Sequence, residues 1–270
     1  AQKLTMPEGH TIHRLARDQR RDLAGHPLAV SSPQGRFAES AALLDGRTVR
    51  SVEAFGKHLF HRWEDGQVLH VHLGLIGKFF RRPSPAPPPV GAVRLRMEGP
   101  EATWDLSGPA ICALVGPEEI ERVAAGLGPD PLRRGADPAA FVAKISKSAK
   151  PIGALLLDQS VVAGIGNVFR AEVLFLHGIH PETPGRDLTE QQVIALWDEL
   201  VAQLRAGVRR NRIVTLRPED LGRSLGRLSK ADALYVYHHE ACRRCGGPIE
   251  ALSVANRRID ACPSCQPRLA

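Results

Sequence analysis

Near its C-terminus the chain carries four cysteines in two close pairs, Cys242 with Cys245 and Cys262 with Cys265, with sixteen residues between the pairs. Each pair forms a turn that brings two thiolates to one side. Two such knuckles close a tetrahedral Zn²⁺ site with no ligand position left open, so one structural zinc is expected. Gly246 and Gly247 after the first pair, and the alternation from Ile249 to Val254, predict a metal-held β-hairpin with Asn256, Arg257 and Arg258 at its tip. Two disulfides or four free thiols are the competing account. So short a module has too little core to fold without a staple. The fifth cysteine, Cys112, makes the total odd, which fits an inert thiol beside a metal site better than a secreted disulfide framework.

The rest of the chain falls into two patterns. Ile12, Leu15, Ala16 and Leu23 recur at helical spacing and predict a helix over Gly9 to Leu23. Short, partly alternating runs follow at Thr48 to Ala54, His58 to Trp63, Val68 to Leu73, Val93 to Met97 and Ala102 to Leu106, as in a β-sandwich or barrel. The stretch Arg82 to Gly91 holds five prolines and is expected to be an exposed loop. A short helical pattern and the breakers Gly126, Gly128, Pro129 and Pro131 mark a domain boundary. Beyond it, helices are expected at Pro138 to Ile145, Ile152 to Asp158, Asn167 to His177 and Thr189 to Val208, the last capped by Thr189 with Gln192 at the capping-box position. The organisation is thus α+β: a β-sandwich domain at 7–128, a helical domain at 129–230 and a zinc finger at 231–268.

No apolar run approaches the ~20 residues that span a bilayer, so a cytoplasmic protein with no membrane partner is expected. Of 270 residues, 36 are Lys or Arg and 29 Asp or Glu, a net charge of +7 that suits a polyanionic partner without demanding one. Gly164 and Gly166 stand directly before the helical pattern that starts at Asn167. Such a turn can aim backbone N–H groups and Asn167 at a phosphate, although plain capping roles for Gly166 and Asn167 compete. At the hairpin tip an Arg on a phosphate competes with a solvated turn.

Five motifs occur in one order: Met6 to Arg14 (MPEGHTIHR), Phe55 to Leu59 (FGKHL), His72 to Leu75 (HLGL), Leu157 to Gln159 with Gly164 to Asn167, and the terminal zinc finger. Together they resemble the formamidopyrimidine-DNA glycosylase and endonuclease VIII family of base-excision repair enzymes, and the MPEG opening is similar to its actinobacterial endonuclease VIII branch. The resemblance implies a helix-two-turn-helix element in the helical domain, damaged DNA bound in a cleft between domains, and a monomer. It implies that Pro7, as a free N-terminus, attacks C1′ of a damaged nucleotide's sugar, and that Glu8 protonates the ring oxygen and shuttles protons. An α-amino group of pKa about 8 keeps a usable neutral fraction at pH 7 for that attack. Lys57 would contact the phosphate beside the lesion and assist catalysis. Asn167 and Arg257 would grip phosphates flanking the extruded nucleotide. Leu75 would fill the gap left in the stack, unless it is a buried core leucine. Without the resemblance, Pro7 would be a helix-starting proline and Glu8 a first-turn acid.

The chain departs from the family pattern at several points. Ala1 to Met6 precede Pro7, so here its nitrogen is an amide, which cannot form an iminium; Ala1 to Thr5 are read as an expression remnant, and lyase activity is expected only once residues 1–6 are removed. Thr11 stands where many relatives have a second glutamate. Gly153 replaces a lysine of the formamidopyrimidine branch, an argument against an 8-oxoguanine specialist. Ile259, Asp260 and Ala261 replace an aromatic-rich run before Cys262. The expected function is therefore excision of oxidised bases, pyrimidines foremost, and cleavage of abasic sites by β,δ-elimination. A non-catalytic binder of damaged DNA on the same scaffold is the alternative. A hydrolytic metal site at His70 and His72 lacks a carboxylate at ligand spacing.

Overall fold

A computed structural model describes residues 7–221, 228–229 and 231–268. The chain divides into two compact units, Ala1–Gly126 and Leu127–Ala270.

The first unit opens with helix α1 (Gly9–Leu23), whose Ile12, Ala16 and Leu23 face inward as their spacing predicts. After β1 (Ala29–Ser31) and α2 (Ala38–Leu44) come β2 (Val49–Phe55), β3 (His58–Trp63), β4 (Val68–His72), β5 (Lys78–Pro83), β6 (Val93–Glu98), β7 (Ala102–Ser107) and β8 (Ile111–Val115). They form two antiparallel four-stranded sheets, ordered β2-β3-β4-β8 and β1-β6-β7-β5. Val52, Leu59, Trp63, Leu69 and Val71 of one sheet meet Leu95, Met97, Trp104 and Leu106 of the other in a shared core. The β-sandwich expectation holds. The loop expected from Arg82 begins instead after Pro83, because β5 runs on through it. That proline is tolerated on an edge strand, where no inward ladder N–H is needed.

Helix α3 (Glu118–Gly126) ends this unit. The second unit holds α4 (Pro138–Ser146), α5 (Ile152–Leu155), α6 (Asn167–Leu176), α7 (Glu190–Arg210), α8 (Pro218–Leu221) and the hairpin β9 (Glu250–Val254) with β10 (Arg257–Ala261). Thr189 caps α7 in a complete capping box with Gln192, as read from the sequence. Helix α5 stops short of the expected Asp158, whose carboxylate turns back to accept from Ser160 N and Oγ. One core joins the helices to the cysteine module: Phe169, Phe175, Leu196 and Leu200 pack with Val254, Ile259 and Cys262. Ile259 belongs to this core without the aromatic-rich run that the resemblance implies before Cys262. Ile259, Asp260 and Ala261 are all buried, and Asp260 accepts from His238 N and Arg258. Among the described residues, no helix is long and apolar enough to cross a membrane.

Glu172 on α6 is fully buried and accepts the backbone N–H groups of Tyr235, Val236 and Tyr237 at 2.8, 2.9 and 2.8 Å, together with the Thr215 hydroxyl. It ties the chain leading into the cysteine module to the helical core. Replacing it strands several buried donors at once, so Glu172→Ala is expected to lose about 3 to 5 kcal/mol in urea unfolding, and Glu172→Gln less, because an amide oxygen still accepts.

Candidate active site and nucleic-acid interface

In the first unit α1 packs against the β2-β3-β4-β8 sheet. Arg20 donates through Nε to the Val52 carbonyl at 2.8 Å and Gln19 Oε1 meets His61 Nε2 at 2.6 Å on the neighbouring strand, so the C-terminal half of α1 is fastened to β2 and β3. Lys57 lies in the β2–β3 turn at one end of the sheet, where Gly56 takes φ 58°. Leu75 joins the same end, since the loop after β4 leaves the sheet at His72, which pairs with His58.

Glu8 is 1% exposed and sits at the N-cap of α1, but its side chain makes no capping hydrogen bond. A plain first-turn acid favoured by the helix dipole would lie in solvent or cap; this one does neither. Leu75 is 56% exposed and its neighbour Ile76 62%, which disposes of the core-leucine account. The loop that presents them is tightly built: Gly74 takes φ 67°, and a Cβ there would lie 2.7 Å from Ala110 Cβ. Thr11 lies beside His10, Oγ1 to ring nitrogen 3.3 Å, and burial pushes that histidine down to about 4, so it is neutral at pH 7. Cys112 is the inert thiol expected, pushed up to about 12 by burial.

In the second unit, Gln159 shapes the glycine-rich turn. Its Nε2 donates to the carbonyls of Leu157 and Ile165 and its Oε1 accepts from Gly164 N, all at 2.9 Å. The turn delivers Asn167 as the first residue of α6, with Gly166 rather than Asn167 at the N-cap. The capping account for Asn167 therefore fails, and its Oδ1 is buried with no hydrogen-bond partner among the described residues. One turn further along, Arg170 is fully buried and donates to the carbonyls of Gly153 at 2.8 Å, Arg258 at 3.1 Å and Arg257 at 3.5 Å. It fastens the β9–β10 hairpin to the helix that begins at Asn167. Sequence reading missed Arg170; its signal is that it and Glu172 are the two charges in the otherwise apolar run from Val168 to Leu176. At Gly153 a Cβ would come 3.0 Å from the Pro181 carbonyl, so a lysine there would have to displace backbone.

The hairpin tip is Ala255 and Asn256, both at positive φ, and not the expected Asn256 to Arg258. A two-residue turn with both residues left-handed matches the strand twist, which moves both arginines onto β10. There they differ: Arg258 is committed to Asp260 at 2.7 Å, whereas exposed Arg257 has no acidic partner among the described residues. The four cysteine Sγ atoms lie within 4.8 Å of one another, Cys242 to Cys265 at 3.9 Å and Cys245 to Cys262 at 3.5 Å. Disulfides, at about 2.05 Å, are excluded. Four sulfurs about 2.3 Å from a tetrahedral Zn²⁺ would stand about 3.8 Å apart, which this cluster matches. The knuckle amides assist: Arg244 N donates to Cys242 Sγ and Gly247 N to Cys245 Sγ, each at 3.4 Å, the latter bringing the Cys245 thiol down to about 7.

The sequence matches the formamidopyrimidine-DNA glycosylase N-terminal domain over residues 6–107 and the formamidopyrimidine-DNA glycosylase H2TH domain over residues 127–217. Endonuclease 8 1 of Mycobacterium tuberculosis H37Rv is 49% identical over 267 residues, covering 97% of this chain and 100% of the relative. The chain belongs to the formamidopyrimidine-DNA glycosylase and endonuclease VIII family. Within that family, the formamidopyrimidine-DNA glycosylase of Geobacillus kaustophilus is 32% identical over 245 residues, 89% of each chain. The Lactococcus lactis formamidopyrimidine-DNA glycosylase, solved non-covalently bound to DNA containing an abasic site, superposes with a TM-score of 0.78 at 26% identity, covering 97% of this chain and all of that one. The family's α+β organisation, sandwich followed by helix-two-turn-helix region and cysteine hairpin, is the one described above.

Proposed function

We propose that this chain is a bifunctional DNA glycosylase and abasic-site lyase of base-excision repair, working on oxidised bases, pyrimidines foremost, as a cytoplasmic monomer. The observation that carries it is a buried Glu8 next to Pro7, together with the Lys57 turn and the exposed-Leu75 loop at one end of a sheet, in a chain 49% identical to an endonuclease VIII over 97% of its length. With Pro7 as free N-terminus, its amine attacks C1′ while Glu8 protonates the sugar ring oxygen. The base leaves and an iminium forms. Loss of the C2′ proton to Glu8 then expels the 3′-phosphate, a second elimination expels the 5′-phosphate, and hydrolysis frees Pro7. Lys57 holds the phosphate beside the lesion. Leu75 fills the vacated stack, which extrusion of the nucleotide requires.

Incubating the chain that begins at Pro7 with duplexes holding an oxidised pyrimidine or an abasic site tests this reading. A one-nucleotide gap with phosphate at both ends is expected. Binding without any cleavage would favour the non-catalytic damage binder.

Asn167 and Arg257 grip the backbone, the buried amide by hydrogen bonding and the uncommitted guanidinium by charge. Arg257→Ala is expected to weaken binding to all sequences alike and to lower the slope of log K against log salt by about one. A change confined to one sequence would contradict the role.

Cys242, Cys245, Cys262 and Cys265 hold one Zn²⁺. The ion supplies structure, closing the hairpin that presents Arg257, and with four thiolates it keeps no position for substrate. Metal analysis is expected to give one zinc per chain. Stripping it with a strong chelator unfolds the hairpin and removes DNA affinity, reversibly on adding zinc.

A further inference from the structure

Three histidines with no role in this scheme stand on one face of the β2-β3-β4-β8 sheet. His58 follows Lys57 in the chain, and His72 precedes Leu75 by three residues and pairs with His58 across the strands. Their rings lie 4.9 Å apart, and His70 completes the group, 5.1 Å from the His58 ring and stacked on Phe60 at 4.7 Å. The hydrogen bonds fix direction. Gly74 N donates to His72 Nδ1 at 3.1 Å, so that nitrogen carries the lone pair and His72 holds the first residue of the Leu75 loop. His58 Nδ1 and His70 Nε2 are 2.9 Å apart, and the Glu119 carboxylate stands 3.7 Å from His70 Nδ1. That carboxylate favours the proton on His70 Nδ1, leaving Nε2 to accept from His58.

We propose that His58 and His72 are positioning residues, a neutral imidazole bracket braced by His70 that holds the Lys57 turn and the Leu75 loop in one arrangement, so that phosphate grip and base-stack filling occur together. The inference rests on the roles given above to Lys57 and Leu75. Protonation breaks the bracket, because it places a positive charge beside Lys57 and between packed rings. The other charges facing the group are Glu119 and Arg122 of α3, while Glu53 and Arg62 on the same sheet face neutralise each other at 2.6 Å. All three histidines lie below their ordinary range, chiefly through burial, His58 at about 4 with His72, His70 and Lys57 adding to the shift. An unfolded histidine takes its proton near pH 6.5. The bracket's stabilisation is therefore complete above that pH and is lost as pH falls from about 6.5 towards about 4.

The test uses the 270-residue chain, whose blocked Pro7 allows equilibrium binding without cleavage, on a duplex with 2-aminopurine opposite an abasic-site analogue. At saturating protein, the fluorescence change that reports filling of the stack is expected to be full at pH 7.5 and to fall at least threefold by pH 5. His58→Asn with His72→Asn keeps a donor near the His58 Nδ1 position and an acceptor near that of His72, and removes the charge. This double variant is expected to hold the signal across the range, whereas His58→Phe with His72→Phe reduces it at every pH. Hydrogen exchange at Gly74 and Leu75, corrected for intrinsic rates, is expected to accelerate in acid for the native chain alone, and it reads the bracket even without DNA. An acid loss of the same size in the asparagine variant, or exchange at Gly74 that ignores pH, overturns the proposal. If exchange behaves as expected but no stack filling is seen at any pH, the role of Leu75 fails and the bracket survives.

Discussion

Glu8→Gln, made in the chain that begins at Pro7, is expected to lower base excision by about 10² to 10⁴-fold while leaving affinity for abasic-site duplex within about twofold. The side chain is 1% exposed and makes no capping bond, so its amide isostere removes a proton donor from a site that stays packed as before. Loss of a proton shuttle appears in the chemical step, not in the ground-state complex. Single-turnover excision rates beside a binding isotherm separate the two, and an unchanged unfolding midpoint shows that the fold is intact. If affinity fell while excision survived, Glu8 would be a structural residue and the proton would have to come from elsewhere.

The elements read well from the sequence are those whose pattern comes from a single buried face. Helix α1 was expected with the limits it has, because Ile12, Ala16 and Leu23 repeat at helical spacing. The central strands β3 and β4 were expected within a residue, each being apolar and bounded by turn residues. Of the edge strands, β2 was expected, but β5 and β8 were not. β5 presents Lys78, Arg81 and Arg82 to solvent and ends in a proline, and β8 is only half buried, so neither carries the apolar signal of an interior strand. The three residues of β1 and the seven of α2 are too short for any period to emerge.

The candidate site divides the same way. The cysteine spacing specified its own geometry, because a metal centre is a local constraint that sequence spacing expresses directly. Whether Leu75 is core or wedge could not be read from the loop, since HLGL suits either; its exposure follows from the tight packing of Gly74 on Ala110, 36 residues away in another hairpin. The partners of Arg170 and Gln159 could not be read for a related reason. Each acts on backbone carbonyls or amides, and a sequence pattern does not say which backbone groups a fold will bring near. The histidine bracket had a faint trace in the sequence: His58, His70 and His72 lie at alternating strand positions beside a lysine turn, but only strand register puts His58 opposite His72.

The alternative of a damage binder differs from the enzyme at a single atom, the Pro7 nitrogen, which is a secondary amine at a free N-terminus and an amide when residues 1–6 precede it. Borohydride trapping on an abasic-site duplex reads that atom directly. With the chain beginning at Pro7, reduction is expected to fix a covalent protein–DNA adduct. With the 270-residue chain, the yield is expected to drop by at least about 10³-fold at equal binding, since an amide cannot form the iminium that borohydride reduces. Intact mass identifies the N-terminus in each preparation. Equal trapping by both chains, or trapping by neither while both bind, would contradict Pro7 as the nucleophile.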